Sequence, residues 1–174
     1  KRIVYITGLL FIFVSPVLFA QSNNSGFEKN SKRSKRKTDN SDALNQEGVT
    51  AAQKGDYKSA INNFRSVISV QDKKSAITYN NLAYTYLLSA NKKQAIIYYQ
   101  KAIDRNPNLL AATANLGLLL FEVERYKESI VVGEKVLRRD PMNLEVRNWL
   151  PEAYRRAAQQ RMDELEKSAL EKES

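Results

Sequence analysis

The chain has 174 residues, of which 43% are hydrophobic, so it is long and apolar enough to form one domain with a substantial core. It contains no Cys, which excludes disulfides, a thiol nucleophile and zinc–thiolate sites. It contains no His either, which removes the most frequent general base and transition-metal ligand, and the formal net charge is +9. The composition therefore predicts a protein that is not an enzyme, with no catalytic residues, no metal site and no cofactor.

Residues 1–20 have the three parts of a secretory signal. Two basic residues come first, an apolar run extends over 3–15, and Pro16 then precedes the small Ala20. We expect cleavage after Ala20 and export to the periplasm or cell envelope, and the end of this segment resembles exported bacterial proteins. The alternative is an uncleaved anchor in the inner membrane, because the apolar segment approaches the roughly 20 residues that a membrane span needs.

Residues 21–40 are rich in Ser, Asn and Lys and contain one large apolar side chain, Phe27. Such a segment buries too little surface to offset its ordering entropy, so we expect a disordered basic linker. Its run KRSKRK also suggests nuclear import or nucleic-acid binding, but the signal upstream argues against import. The charges of 41–174 are nearly balanced, so no nucleic-acid partner is expected, and the linker is expected to make only weak contact with anionic membranes.

A repeat occupies the centre of the chain. The stretches 81–108 and 115–142 align without a gap, and Pro107 and Pro141 fall at the same position in each. An earlier copy at 47–74 aligns at the same interval of 34 residues. A 34-residue period with helical texture is typical of stacked helix–turn–helix units.

The motif residues within these copies identify a family resemblance. They are Gly48, Ala51, Ala60 and Phe64 in the first copy; Leu82, Ala83, Tyr86, Ala95, Tyr99 and Pro107 in the second; and Leu116, Gly117, Leu120, Ser129 and Pro141 in the third. This pattern resembles the tetratricopeptide repeat family. The resemblance implies an all-α, right-handed α-solenoid of three helical hairpins, at about 41–75, 76–109 and 110–143. A C-terminal closing helix is expected over 144–174, with its end frayed from about Glu166.

Departures from the family pattern lead to two further expectations. Gly133 stands where the third copy should have an aromatic residue, and we hypothesise that Trp149, the only Trp, fills the space. Pro151 falls inside the closing helix, where it lacks the N–H that would bond to the preceding turn, so a kink is predicted. The first copy has QDKK where Pro is expected, which marks it as the outer edge of the stack.

Function is expected on the concave side, which the first helix of each hairpin lines in such solenoids. By helical phase, the groove positions form an apolar trough with Asn at one edge. They are Asn45, Val49 and Ala52 from the first copy; Ile77, Asn80, Tyr84, Leu87 and Leu88 from the second; Ala111, Ala114, Leu118 and Phe121 from the third; and Asn148 beyond it. Such a trough suits an extended strand or one face of a helix from a partner protein.

The resemblance implies a non-catalytic protein–protein interaction module, acting as an adaptor or assembly factor in the cell envelope. The alternative is a structural protein that forms homodimers through the same trough. One subfamily binds the C-terminal carboxylate of chaperones through Lys, Arg and Asn, but only Asn81 matches it here. Ala111 and Asn115 replace the cations, so a bound carboxylate would lack its charged donors.

Overall fold

The computed structural model describes residues 32–70 and 75–173, which form seven α-helices and contain no strand. The helices are α1 (Lys32–Gln53), α2 (Tyr57–Val70), α3 (Ala76–Leu88), α4 (Lys92–Arg105), α5 (Leu110–Glu122), α6 (Tyr126–Leu137) and α7 (Leu144–Glu173). The all-α, helical-hairpin solenoid predicted from the sequence is confirmed. The signal or anchor predicted over 1–20 lies outside the described residues, as does 21–31 of the linker.

Three hairpins, α1–α2, α3–α4 and α5–α6, share one turn geometry. Each turn contains a residue with positive φ, namely Gly55 at 81°, Ala90 at 61° and Glu124 at 63°. In each, the next N–H donates to a carbonyl five residues back, as from Asn91 to Tyr86 over 2.8 Å, which is the bond of a Schellman helix end. The repeat in sequence is therefore a repeat of backbone conformation.

The interval between the first two hairpins corrects the sequence alignment. The turn residues Gly55 and Ala90 are 35 positions apart, whereas Ala90 and Glu124 are 34 apart. The uniform interval of 34 is therefore wrong for the first pair of hairpins. The additional residue falls between the start of α2 and the start of α3, where the first copy lacks the Pro that fixes the register of the later copies.

Short polar caps and the two prolines set the helix ends. Ser75 Oγ accepts from the Thr78 N–H at 3.1 Å to begin α3, and Asn91 Oδ1 accepts from the Gln94 N–H at 3.2 Å to begin α4. The equivalent bond at α7 joins Asn143 Oδ1 to the Val146 N–H at 3.1 Å. Pro107 and Pro141 lie in the turns after α4 and α6, as predicted.

Two expectations about helix ends are wrong. The segment 32–40 was expected to be disordered, but it is helical and continuous with the packed part of α1. Lys and Arg are good helix formers, and no Pro or Gly interrupts the chain between Lys32 and Glu47. The closing helix was expected to fray from about Glu166, but it continues to Glu173 because Leu, Glu, Lys and Ala favour helix and Lys167 Nζ lies 3.9 Å from Glu171 Oε1.

Helix α7 packs antiparallel to α6. The Tyr154 hydroxyl donates to Glu134, and Lys127 Nζ lies 3.9 Å from Glu164 Oε2. Pro151 lies inside the helix, which continues through it, and the predicted kink stays a prediction. Among the helices of the described ranges, none is both long enough and apolar enough to cross a membrane.

The core consists of two clusters that the hairpins build in succession. The larger joins α1 to α5 and contains the fully buried rings of Phe64 and Tyr99. A Cβ added at Gly48 would lie 2.8 Å from the Phe64 ring, so this position needs Gly for close approach. The smaller cluster joins α5, α6 and α7 around Trp149.

Trp149 occupies the space that Gly133 leaves, which confirms the hypothesis from the sequence. A Cβ added at Gly133 would lie 2.7 Å from the Trp149 ring, and one added at Gly117 would lie 2.9 Å from it. The ring therefore lies between α5 and α6 in direct contact with both backbones. The absence of two side chains makes room for the indole.

Candidate functional site

The first helices of adjacent hairpins are joined by side-chain hydrogen bonds. Thr78 Oγ1 of α3 donates to Asn45 Oδ1 of α1 at 3.3 Å. Asn115 Nδ2 of α5 donates to Asn80 Oδ1 of α3 at 3.4 Å. These bonds place α1, α3 and α5 side by side, as a row of first helices requires, and α7 packs against α5 as the next member of the row.

Four of the predicted groove residues are buried and form part of the core. Val49, Ala52 and Tyr84 are 8%, 3% and 8% exposed and belong to the larger core cluster, while Asn80 is fully buried. The prediction that these side chains offer a binding surface is wrong. Helical phase gave their direction correctly, but adjacent hairpins pack too closely for the side chains between them to reach solvent.

The predicted Asn edge of the groove is largely used inside the protein. Asn80 Nδ2 donates to Asn81 Oδ1 at 3.5 Å while its own Oδ1 accepts from Asn115, and Asn45 accepts from Thr78. Of the three Asn residues assigned to the edge, Asn148 is exposed and Asn45 is half-buried. Asn81, the one match to the carboxylate-binding subfamily, is fully buried and its Nδ2 has no hydrogen-bond partner.

What remains accessible on this side is an apolar surface, which we call the concave apolar surface. Its members combine partial exposure with a position on the first helices. They are Ile77, Leu87 and Leu88 of α3 and Ala111, Leu118 and Phe121 of α5, with Leu88 the most exposed of the large side chains at 38%. Ala114, by contrast, is buried in the smaller cluster.

Phe121 connects this surface to the closing helix. Its ring lies 6.2 Å from the Trp149 ring in a stacked arrangement and 5.6 Å from the Tyr126 ring in a tilted one. Both geometries fall within the range that aromatic pairs prefer. The position of Phe121 on the concave side therefore depends on α7 being in place.

One ionisable group lies at the end of the row. Glu145 follows Ile77 and Ala111 at intervals of 34 residues, and it is half-buried. Burial raises the pKa of the Glu145 carboxyl, because removing its charged form from water is costly. An acid therefore stands where the carboxylate-binding subfamily would need a favourable charge, and Ala111 and Asn115 supply none.

The described residues hold no group of three or more His, Cys, Asp and Glu side chains placed to bind a metal ion. The carboxylates that do have partners pair with cations on exposed helix faces. Glu152 is the clearest case, since the guanidinium groups of Arg155 and Arg156 hold its pKa at about 2. Such exposed pairs contribute little to stability.

Comparison with known proteins agrees with this architecture. A family model described as the tetratricopeptide repeat matches residues 41–74 and 76–109. This offset of 35 agrees with the turns of the first two hairpins. The third hairpin, 110–143, lies outside the matched residues but has the same two helices and the same positive-φ turn.

Among curated relatives, the photosystem I assembly protein Ycf3 of Synechococcus sp. (strain CC9605) is 25% identical over 121 residues, covering 60% of this chain and 70% of that protein. Its counterpart in Acaryochloris marina (strain MBIC 11017) is 26% identical over 121 residues, covering 59% of this chain and 72% of that protein.

Two solved structures share the architecture. The first repeat domain of Spaghetti (RPAP3) bound to the HSP90 peptide SRMEEVD has a TM-score of 0.65 at 22% identity, covering 69% of this chain and 94% of that one. The MamA protein has a TM-score of 0.64 at 26% identity, covering 80% and 76%. The first of these likenesses is a likeness of fold alone.

Proposed function

Because the chain belongs to the tetratricopeptide repeat family, we propose that it is a non-catalytic adaptor that binds a segment of another protein on the concave apolar surface. The observation that carries this proposal is the set of large aliphatic and aromatic side chains left accessible on α3 and α5. Contiguous exposed apolar side chains usually mark contact sites, since a folded chain otherwise buries them.

The chemistry of the surface favours a partner with apolar anchors. Leu87, Leu88 and Phe121 offer contacts to side chains on one face of a helix or to alternate side chains of an extended strand. The RPAP3 domain is bound to an HSP90 peptide that ends in EEVD. A comparable acidic tail would meet no cation at Ala111 or Asn115 and would face Glu145, so we propose that the partner segment is an amphipathic helix or an apolar strand.

The cellular role that we propose is that of an assembly factor in the cell envelope. The relatives named as assembly proteins support the first part of this proposal. The secretory signal in the sequence supports the second, with an uncleaved membrane anchor as the alternative. The basic linker would then add weak attraction to anionic lipid.

Site-specific photo-crosslinking tests this function. A photoreactive amino acid at Leu88 should capture a partner in the producing cells, whereas the same amino acid at Ile97, an equally exposed aliphatic position on α4, should not. Mass spectrometry then identifies the captured protein and the attached segment. Leu88→Glu should weaken binding of that segment at least tenfold in titration calorimetry, and Ile97→Glu should leave it unchanged.

Capture of the same protein from both positions, or equal affinity of the two Glu variants, would overturn the proposal. If the attached segment belongs to a second copy of the same chain, the alternative function of self-association through the concave apolar surface is supported in its place.

A further inference from the structure

The outer face of α7 lacks the helix that its position in the fold calls for. In the preceding hairpin, α6 packs on α5 so closely that Ser129 Oγ donates to the Gly117 carbonyl at 2.8 Å. The position equivalent to Gly117 in α7, 34 residues later, is Pro151, and it is exposed. None of the helices in the described ranges lies on this side of α7.

An open cleft marks the start of this face. It has a volume of about 420 Å³ and is lined by Leu137, Arg147, Leu150, Pro151 and Tyr154. The cleft occupies the place where a second helix of a fourth hairpin would begin. The face is therefore shaped to receive a helix along its length.

An apolar stripe continues from the cleft along α7. Ala158, Met162, Leu165 and Ala169 follow one another at spacings of four, three and four residues, and all are exposed, with Met162 at 63% and Leu165 at 50%. This is the spacing of the seam between two paired helices. The side of α7 that contacts the body of the protein carries different residues, including Trp149 and Ala153.

The stripe extends beyond the rest of the solenoid. Near its middle, Gln160 Nε2 donates to the Glu124 carbonyl at 3.4 Å, and Glu164 lies near Lys127 at the start of α6. Because α6 begins at Tyr126, residues 165–172 of the antiparallel α7 project past it. A projecting helix with one apolar face is accessible to a second helix over its full width.

The charges beside the stripe are divided between its two halves. Residues 155–161 carry three basic side chains and no acidic one, Arg155, Arg156 and Arg161. Residues 163–173 carry more acidic than basic side chains, with Asp163, Glu164 and Glu166 at their start. A second α7 in the opposite direction would bring the basic half of each helix beside the acidic half of the other, and would also oppose the two helix dipoles favourably.

We propose that the outer face of α7 is a homodimer interface, in which α7 of a second copy packs antiparallel along the stripe. Met162 then lies opposite Leu165 of the second copy, and Ala158 lies opposite its Ala169, so one two-fold axis generates every contact twice. The occupant is a second copy because the stripe and its charge division complement themselves. This interface is separate from the concave apolar surface, which stays accessible in the dimer.

Sedimentation velocity of the full 174-residue chain over a range of concentrations tests the interface. Leu165→Glu should weaken the dimer at least tenfold, because it buries a charge at the seam. Lys167→Glu introduces the same side chain on the opposite side of the helix and should leave the dimer in place. A chain that is monomeric throughout, or a dimer that Leu165→Glu leaves unchanged, would overturn the proposal.

Cysteine cross-linking tests the orientation, and it is simple here because the natural chain has no Cys. Under oxidation, a mixture of Ala158→Cys and Ala169→Cys chains should form the mixed disulfide dimer, and each chain alone should form little. Efficient self-cross-linking of Ala158→Cys chains alone would indicate parallel helices and contradict the proposal. Because the disulfide reports on one position, association through other segments does not affect this result.

Discussion

The middle and third hairpins fill equivalent spaces with aromatic rings that come from different parts of the chain. In the middle hairpin the ring is Tyr99, which belongs to α4 and is fully buried. In the third hairpin the equivalent residue is Gly133, and the ring is Trp149 of α7. The middle hairpin thus supplies its own aromatic core residue, whereas the third receives one from the helix that follows.

The difference shows that the packing requirement belongs to the space between helices and not to one sequence position. In repeat proteins stability is approximately the sum of the repeats and the interfaces between neighbours. For the third hairpin, the interface with α7 also supplies the core. We therefore expect α5, α6 and α7 to unfold as one unit, while the first two hairpins depend less on α7.

Trp149→Ala should have the largest effect on this comparison. Removing a buried indole between two helices should lower the free energy of unfolding by about 3–5 kcal/mol. Urea unfolding followed by circular dichroism measures the change. Ile97→Ala, which removes an exposed aliphatic side chain of α4, should change stability by no more than about 0.5 kcal/mol. Similar losses in the two variants would show that α7 is not part of the core.

Gly133→Phe should have an effect whose sign depends on Trp149. In the natural chain the new ring would collide with the indole, because even a Cβ lies 2.7 Å from it, and stability should fall by about 1–3 kcal/mol. In the Trp149→Ala background the same change restores a ring at the family position and should raise stability relative to that single variant. The four chains form a double-mutant cycle, and additive effects would refute the exchange of one ring for the other.

Tyr99→Phe should have the smallest effect and the opposite direction. The Tyr99 hydroxyl is buried without a hydrogen-bond partner in the described structure, so its removal should stabilise the protein by about 1 kcal/mol. Burial raises the pKa of Tyr99 well above its ordinary value, so the folded chain holds this proton while the unfolded chain releases it near pH 10. The natural chain should therefore lose stability more steeply than Tyr99→Phe as the pH rises above about 10.

Tyr99→Ala is the matched variant for this measurement. It removes the ring as well as the hydroxyl and should lower stability by about as much as Trp149→Ala. Loss of stability in Tyr99→Phe would mean that the hydroxyl has a partner.

The sequence was sufficient to predict features that depend on local chemistry. Pro107 and Pro141 end their helical hairpins wherever they occur, and a Gly in place of an aromatic residue left a space that a single Trp could fill. The register of the first copy failed because the alignment relied on a Pro that this copy lacks. The linker prediction failed over 32–40 because composition does not show that a packed helix can extend into a polar segment.

The candidate site was less predictable than the fold. The helical phase of Asn80 and Tyr84 identified the side of the helix correctly, but their burial depends on the distance between neighbouring hairpins. No pattern within one repeat encodes that distance. The same holds for the outer face of α7, whose exposure depends on which helices lie beside it.

The position of Trp149 also gives the protein an intrinsic optical probe. As the only Trp in the chain, it is 6% exposed and lies where α5, α6 and α7 meet. Its fluorescence spectrum therefore reports on that one junction without any added label. A red shift of the emission that precedes the loss of helical signal would show the C-terminal helix separating while the remaining hairpins stay folded.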